Sequence, residues 1–173
     1  IICNKIETYI NIIKPIFCIY IAFDGVAPVA KMNQQRSRRY KSNFEKKIVN
    51  TLKNTHNTDL WDKTCITPGT QFMNKLGKGI NNFFKNKENK YNVEKIIIYT
   101  TNEPGEGEHK LFNYIKNNKF LHYSRSTVVD GLDADLIMLA INHLQFCKNI
   151  FLFRETPEFI KSIDSSLNPN YNY

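Results

Sequence analysis

Residues 17–25 have the sequence FCIYIAFDG, in which seven apolar or aromatic residues are followed by Asp24 and Gly25. A continuous apolar run with β-branched and aromatic members is typical of a strand buried inside a parallel sheet. Aspartate and glycine are poor strand formers, so we predict that the strand ends at residue 23. Ligands of parallel α/β sheets bind beyond the carboxyl ends of the strands, which makes Asp24 a candidate functional residue.

The rest of the chain alternates between strand and helix patterns. Apolar runs predict further strands at 95–99, 126–129 and 150–153. Helical spacing and turn residues predict helices at 1–13, 28–50, 71–84, 108–117 and 135–143, with a loop at 54–62 and a charged linker at 85–92. This alternation favours an α/β fold with an open, mainly parallel sheet flanked by helices.

Acidic residues follow three of the four predicted strands. They are Asp24, Glu106, Glu108, Asp133 and Asp135. Carboxylates are hard ligands for Mg²⁺ or Mn²⁺, and two such ions about 3.5–4 Å apart hold both oxygens of a phosphodiester displacement. The pattern predicts a divalent-metal phosphodiesterase. For Asp133 and Asp135, capping of the next helix is an equally good interpretation.

The positive charge of the chain is concentrated in one segment. The net charge is +8, and residues 31–53 hold eight basic residues and one acid. Within the predicted helix at 28–50, a polar stripe at i, i+4, i+7, i+8 spacing comprises Lys31, Gln35, Arg38 and Arg39, and an apolar stripe comprises Tyr40, Phe44 and Ile48. A concentrated basic patch indicates a polyanionic partner, with a solvated helix face as the alternative. The sequence leaves the orientation of the polar stripe open.

The four cysteines are far apart and lack metal-ligand spacing, so we expect reduced thiols in a cytosolic or nuclear compartment. The apolar run at 16–23 is too short to span a bilayer. The chain opens at Ile1 without an initiator methionine and closes on a polar stretch at 165–173, so we expect an excerpt of a longer protein.

Several motifs occur in a specific order. They are DGVAP at 24–28, AKMNQQRSRR at 30–39, CITPGTQFM at 65–73, PGEGEHK at 104–110, GLDADLIML at 131–139, and Arg154 with Glu155. In this order they resemble the 5′→3′ exoribonucleases of the Xrn family. The resemblance covers most of the chain and implies a partial nuclease domain of the PIN or flap-nuclease type at 1–155, incomplete at both ends. Residues 156–173 are then a polar tail or the continuation of a truncated domain.

The resemblance implies a processive, magnesium-dependent exonuclease that acts on single-stranded RNA with a 5′-monophosphate. It implies metal-ligand roles for Asp24, Glu106, Glu108, Asp133 and Asp135, and a 5′-phosphate pocket formed by Lys31, Gln35, Arg38 and Arg39. We place His109 and Lys110 behind the ligands or at the surface, and treat 67–73 as structural support. The GLDADL form is closer to the cytoplasmic branch of the family, with a nuclear role as the alternative.

The sequence also departs from the family pattern. Val29 stands where the family commonly has an arginine beside the phosphate pocket, and Asp130 adds an acid. The resemblance further implies an acidic ligand and a histidine upstream of this chain, and an acidic ligand and a base-stacking aromatic downstream. Two hypotheses follow: an exoribonuclease or a fragment of one, and a non-catalytic RNA-binding remnant. A flap-type DNA nuclease shares the acids but does not predict the helix at 30–39.

Overall fold

The computed structural model describes residues 1–52 and 62–154. The chain divides into two compact units, of which the first comprises Ile1–Leu111 and the second begins at Phe112. The loop predicted at 54–62 lies outside the described residues except for Asp62, and so do Glu155 and the predicted tail.

The first unit contains most of the predicted elements. They are α1 (Ile2–Ile13), β1 (Cys18–Ala22), α2 (Val29–Leu52), a 3₁₀ turn (Lys63–Cys65), α3 (Gln71–Phe84), α4 (Glu88–Tyr91) and β2 (Lys95–Tyr99). Strands β1 and β2 pair in parallel, with Cys18 opposite Lys95 and Ala22 opposite Tyr99. The pairing continues past β1, where the Phe23 amide donates to Tyr99 O at 2.9 Å. Both strands therefore end together, and the loops that follow them lie at one edge of the pair.

A small apolar core holds this unit together. Its buried members are Ile10, Ile19, Ile80, Phe84 and Val93, which bring α1, β1 and α3 together with the segment before β2. The helix α3 also contacts the end of β2 closely, because a Cβ at Gly77 would lie 3.2 Å from the Thr100 Cβ. The apolar core and α3 therefore pack against β1 and against the end of β2.

The charged linker predicted at 85–92 is partly wrong, because it contains α4. Four residues are too few to show a helical pattern, and the helix is stabilised by contacts that are distant in sequence. The Tyr91 ring lies 6.1 Å from the Phe84 ring, and the Tyr91 hydroxyl donates to Glu7 Oε1 at 2.7 Å. Lys90 also donates to Glu7. Burial and the hydrogen bond to Glu7 raise the pKa of Tyr91. The hydrogen bonds from Lys90 and Tyr91 lower the pKa of the Glu7 carboxyl.

The helix α2 has the predicted bounds to within two residues, but none of its residues is buried. Its apolar stripe faces solvent: Tyr40 is 67% exposed and Phe44 is 64% exposed. The polar stripe is the better covered one, since Lys31, Gln35 and Arg39 are half-buried and only Arg38 is exposed. This finding answers the orientation question that the sequence left open.

The helix α5 (Gly107–Asn117) leads into the second unit, which contains α6 (Lys119–Tyr123), β3 (Ser126–Asp130), α7 (Asp135–Asn142) and β4 (Asn149–Phe153). Strands β3 and β4 are parallel, with Ser126 opposite Asn149 and Asp130 opposite Phe153. Val129, Leu136, Ala140 and Cys147 are buried here. The five-residue helix α6 was not predicted, because its length gives no periodic signal.

The predicted α/β class with parallel strands between helices is confirmed, and the strands form one parallel pair in each unit. All four cysteines are free thiols, as predicted. Among the described residues, none of the helices combines the length and the apolar character that crossing a bilayer requires.

Candidate functional site

The loop after β1 and the loop after β2 are joined by main-chain hydrogen bonds. The Gly25 amide donates to Gly105 O at 2.8 Å, and the Gly105 amide donates to Val26 O at 3.0 Å. A Cβ at Gly25 would overlap the Glu103 carbonyl, lying 2.8 Å from its carbon, and Gly105 has φ +92°. Glycine avoids the overlap at residue 25, and at residue 105 it adopts the positive φ at low cost. These contacts hold the two loops together. We call the pair of hydrogen bonds that joins Gly25 and Val26 to Gly105 the loop lock.

The loop lock places Asp24 beside the first turn of α5. Asp24 Oδ1 accepts a hydrogen bond of 2.7 Å from the amide of Gly107, the first residue of that helix. The first amides of a helix have no partner within the helix and attract negative charge, which favours this contact. Gly107 lies between Glu106 and Glu108, so the carboxylate after β1 adjoins the segment that bears the two glutamates.

Glu106 and Glu108 form a cluster with His109. One ligand atom from each of the three residues lies within 4.8 Å of those of the other two. Sequence reasoning placed His109 outside the ligand set, and its ring is exposed, but it adjoins both acids. Two carboxylates fit a hard divalent cation, and an added imidazole suits Mn²⁺ better than Mg²⁺.

Sequence reasoning placed Lys110 behind the ligands or at the surface, and in the structure it is half-buried against the ends of β1 and β2. Its ammonium donates to three main-chain carbonyls: Phe23 O at 2.8 Å, Thr100 O at 3.2 Å and Glu103 O at 2.7 Å. Burial lowers the pKa of Lys110, while the charges of Glu103 and Asp24 raise it. A lysine one turn into an amphipathic helix resembles any surface lysine, so the sequence carries no signal for this arrangement.

Lys31 connects α2 to the acidic cluster. Its Nζ lies 3.3 Å from Glu106 Oε2, and the side chains are 42% and 14% exposed, respectively. One cation of the predicted phosphate pocket is therefore in contact with one predicted metal ligand.

A cavity of about 630 Å³ lies along α2. Its lining includes two residues of the predicted phosphate set, Gln35 and Arg39, together with Arg36, which sequence reasoning did not select. Lys31 and Arg38 are not among the lining residues, so the structure brings only half of the predicted set to this cavity. Arg36 lies about 60° from Arg39 around the helix. Lys31 and Arg38 lie on the other side of Gln35, away from the cavity.

The turn before α3 forms the opposite wall of the cavity. Arg39 donates to Thr67 Oγ1, and the Thr67 hydroxyl donates to Thr64 O at 2.6 Å. The Thr70 hydroxyl donates to Cys65 O at 2.6 Å and accepts from the Met73 amide at 3.3 Å, which caps α3. This local network fixes the position of Thr67 and, through it, that of the Arg39 guanidinium.

Asp133 and Asp135 lie in the second unit, and both are exposed. Asp133 Oδ1 accepts from the Asp135 amide at 3.1 Å, at the residue where α7 begins. Asp133 therefore contacts the first amide of α7, but the N-cap position is held by Ala134, so neither aspartate caps the helix as the alternative interpretation predicted. The end of β4 is tied to the same loop, because Arg154 Nη2 donates to Leu132 O at 3.4 Å. The convergence of all five acids stays a prediction.

Comparisons with known proteins give consistent matches. A family model described as the XRN 5′-3′ exonuclease N-terminus matches residues 1–156. The 5′-3′ exoribonuclease 1 of Saccharomyces cerevisiae is 40% identical over 152 residues, which cover 82% of this chain and 10% of that protein. The 5′-3′ exoribonuclease 2 of Schizosaccharomyces pombe is 38% identical over 157 residues, with 78% and 16% covered. The human 5′-3′ exoribonuclease 1 is 38% identical over 151 residues, with 81% and 9% covered. The chain thus spans a sixth or less of the length of these relatives.

Proposed function

This chain belongs to the XRN 5′-3′ exonuclease family, and we propose that it supplies part of the catalytic site of a 5′→3′ exoribonuclease. The proposed reaction is hydrolysis of phosphodiester bonds from the 5′ end of single-stranded RNA that carries a 5′-monophosphate. The observation that carries this proposal is the 2.7 Å hydrogen bond between the Gly107 amide and Asp24. It holds the acid after β1 beside Glu106 and Glu108, as a shared metal site requires.

We assign the metal-ligand role to the acids of both units. They are Asp24, Glu106, Glu108, Asp133 and Asp135. Their carboxylates suit Mg²⁺ or Mn²⁺, and we expect two ions in the complete site. When bound, such cations lower the pKa of the attacking water and offset the charge that develops on the phosphate. The part of the protein would be to hold the carboxylates at a fixed spacing, and the loop lock supports this role by joining the loop that bears Asp24 to the loop that bears Glu106.

For the terminal phosphate we propose Lys31, Gln35, Arg38 and Arg39. The contact between Lys31 and Glu106 supports this assignment, because it joins the phosphate set to the metal set. A 5′-phosphate held by Lys31 would lie next to the metal ligands, so cleavage would be confined to the end of the strand. Arg39 lines the cavity, and its forked guanidinium suits two phosphate oxygens at once.

The test uses the full-length protein encoded by the gene and single-stranded RNA labelled at its 3′ end. We expect nucleotide release from 5′-monophosphate RNA with Mg²⁺ or Mn²⁺, much less from 5′-hydroxyl RNA, and none after chelation. Glu108→Gln and Asp133→Asn should each lower turnover by about 10²-fold or more, because each removes a charge that stabilises the transition state. Glu94→Gln is the matched control, since Glu94 is an exposed acid outside the cluster.

Two outcomes would contradict the proposal. Wild-type protein that binds RNA but releases no nucleotide with either cation would support the non-catalytic remnant instead. Undiminished cation-dependent cleavage by both acid variants would remove Glu108 and Asp133 from the ligand set.

A further inference from the structure

Lys110 joins the main chain after β1 to the main chain of the loop after β2. The three carbonyls that accept from its ammonium belong to Phe23 after β1 and to Thr100 and Glu103 in the loop after β2. A lysine ammonium has three donors, and here all three have an acceptor within 3.2 Å. The side chain therefore forms a tripod on the carbonyl groups at the strand ends.

The main chain of Lys110 is anchored as well. Its amide donates to Glu106 O at 3.1 Å, and its carbonyl accepts from the Tyr20 hydroxyl at 3.1 Å. Residue 110 thus contacts the strand that precedes Asp24 and the residue that bears the first glutamate of the cluster. Few positions in the unit are connected to both groups of acids in this way.

This arrangement differs from that of a residue that binds substrate. Lys31 directs its ammonium to a carboxylate at the acidic cluster, where a phosphate could compete for it. Lys110 directs all three donors to main-chain carbonyls, and a lost partner would leave polar groups of a partly buried region unpaired. Its contacts therefore control geometry.

We propose that Lys110 is a positioning residue that sets the spacing between Asp24 and the pair Glu106 and Glu108. The inference rests on the proposed metal site of this family member and adds a residue to it. Lys110 holds the loop lock closed from the side of α5, so its loss would let the two loops separate and would weaken the binding of the cation. Groups that orient metal ligands typically contribute about 10–100-fold to metal affinity or activity.

The experiment measures Mn²⁺ binding by electron paramagnetic resonance, together with kcat and KM for 5′-monophosphate RNA, in the full-length protein. Lys110→Met removes the tripod. Lys110→Arg keeps the charge, but a planar guanidinium cannot reproduce three divergent donors. Lys116→Met is the matched control, because Lys116 is an exposed lysine on the same helix. Melting temperatures identify a variant that fails to fold.

We expect Lys110→Met to raise the Mn²⁺ concentration at half-saturation (the Mn²⁺ midpoint) by about 10-fold or more. The same variant should have a lower kcat and a KM for RNA within about twofold of wild type. Lys110→Arg should melt near wild type and still raise the midpoint, and it decides the matter if the methionine variant unfolds. Lys116→Met should behave as wild type. A folded Lys110→Arg protein with normal Mn²⁺ binding and normal kcat would overturn the positioning role.

The inference and the proposed function fail in different ways. Wild-type protein that binds Mn²⁺ without cleaving RNA would refute the nuclease activity, while the effect of Lys110 on the Mn²⁺ midpoint would still be measured. Wild-type protein that binds no Mn²⁺ would overturn the metal site and this inference together. Cleavage and metal binding that are both normal in Lys110→Arg would overturn this inference alone.

Discussion

Gly25→Ala tests the loop lock directly. The new Cβ would overlap the Glu103 carbonyl, lying 2.8 Å from its carbon and 3.2 Å from the Pro104 Cα. Carbon atoms pack best at about 3.5–4 Å and the Glu103 carbonyl oxygen is closer still, so the loop after β2 must move by at least about 1 Å. Every close atom is main chain, so no rotamer change can relieve the overlap.

The cost follows from what that movement disturbs. Two hydrogen bonds of the loop lock connect these loops, at 2.8 and 3.0 Å. Losing them costs about 1 kcal/mol each, and the forced shift adds about 1–3 kcal/mol. We therefore expect a local destabilisation of about 3–5 kcal/mol. A displacement of about 1 Å between Asp24 and the glutamates should also lower turnover by about 10²-fold.

Hydrogen exchange measured by mass spectrometry is the assay, on peptides that cover residues 22–28 and 100–108. Each 1.4 kcal/mol of local destabilisation speeds exchange about tenfold, so these peptides should exchange much faster in Gly25→Ala. Gly79→Ala is the matched control, because a Cβ there meets nothing within 4 Å and alanine favours a helix. Unchanged exchange in both peptides, with normal turnover, would refute the idea that close approach at Gly25 fixes the loops.

Two further predictions concern α2 and α1. Arg39→Ala should reduce the preference for 5′-monophosphate over 5′-hydroxyl RNA by about 1–3 kcal/mol in competition binding. Arg38→Ala should reduce it less, because Arg38 does not line the cavity; an equal loss for both RNAs would indicate a general backbone contact. The lowered pKa of Glu7 means that its contact with Lys90 stabilises the fold above the ordinary pKa of a carboxyl and is lost as the pH falls through the lowered value. The difference in melting temperature between wild type and Glu7→Gln should therefore be present at neutral pH and shrink below about pH 4; a difference that does not depend on pH would contradict this.

The sequence predicted the four strands well, because strands depend on local pattern. The strand predicted at 95–99 has the same first and last residues in the structure. Asp24 after β1 contacts the segment after β2, as expected for neighbouring parallel strands that end together. Helix α4 could not be predicted from pattern, since its stability comes from contacts of Tyr91 and Lys90 with Glu7, more than 80 residues away.

The side-chain arrangement of the site was less predictable. None of the residues of α2 is buried, so the spacing of its apolar residues does not predict which face of the helix contacts the rest of the protein. For this reason the sequence did not identify Arg36 as a cavity residue. The tripod of Lys110 depends on the directions of three carbonyl groups in loops, which no residue pattern encodes. His109 was predicted to lie behind the ligands or at the surface; it is exposed, and its closeness to the acids depends on the first turn of α5.

The loop lock is made of amides and carbonyls, which do not change their charge with pH. The spacing between Asp24 and Gly107 is therefore supported by bonds that persist while the carboxylates around them gain or lose protons. The two main-chain hydrogen bonds of the loop lock would contribute no titration to a pH–rate profile of such a site, so the profile would report the side chains and the water that they activate. For the same reason, salt should alter how strongly the site attracts RNA and leave the distance between its two loops unchanged.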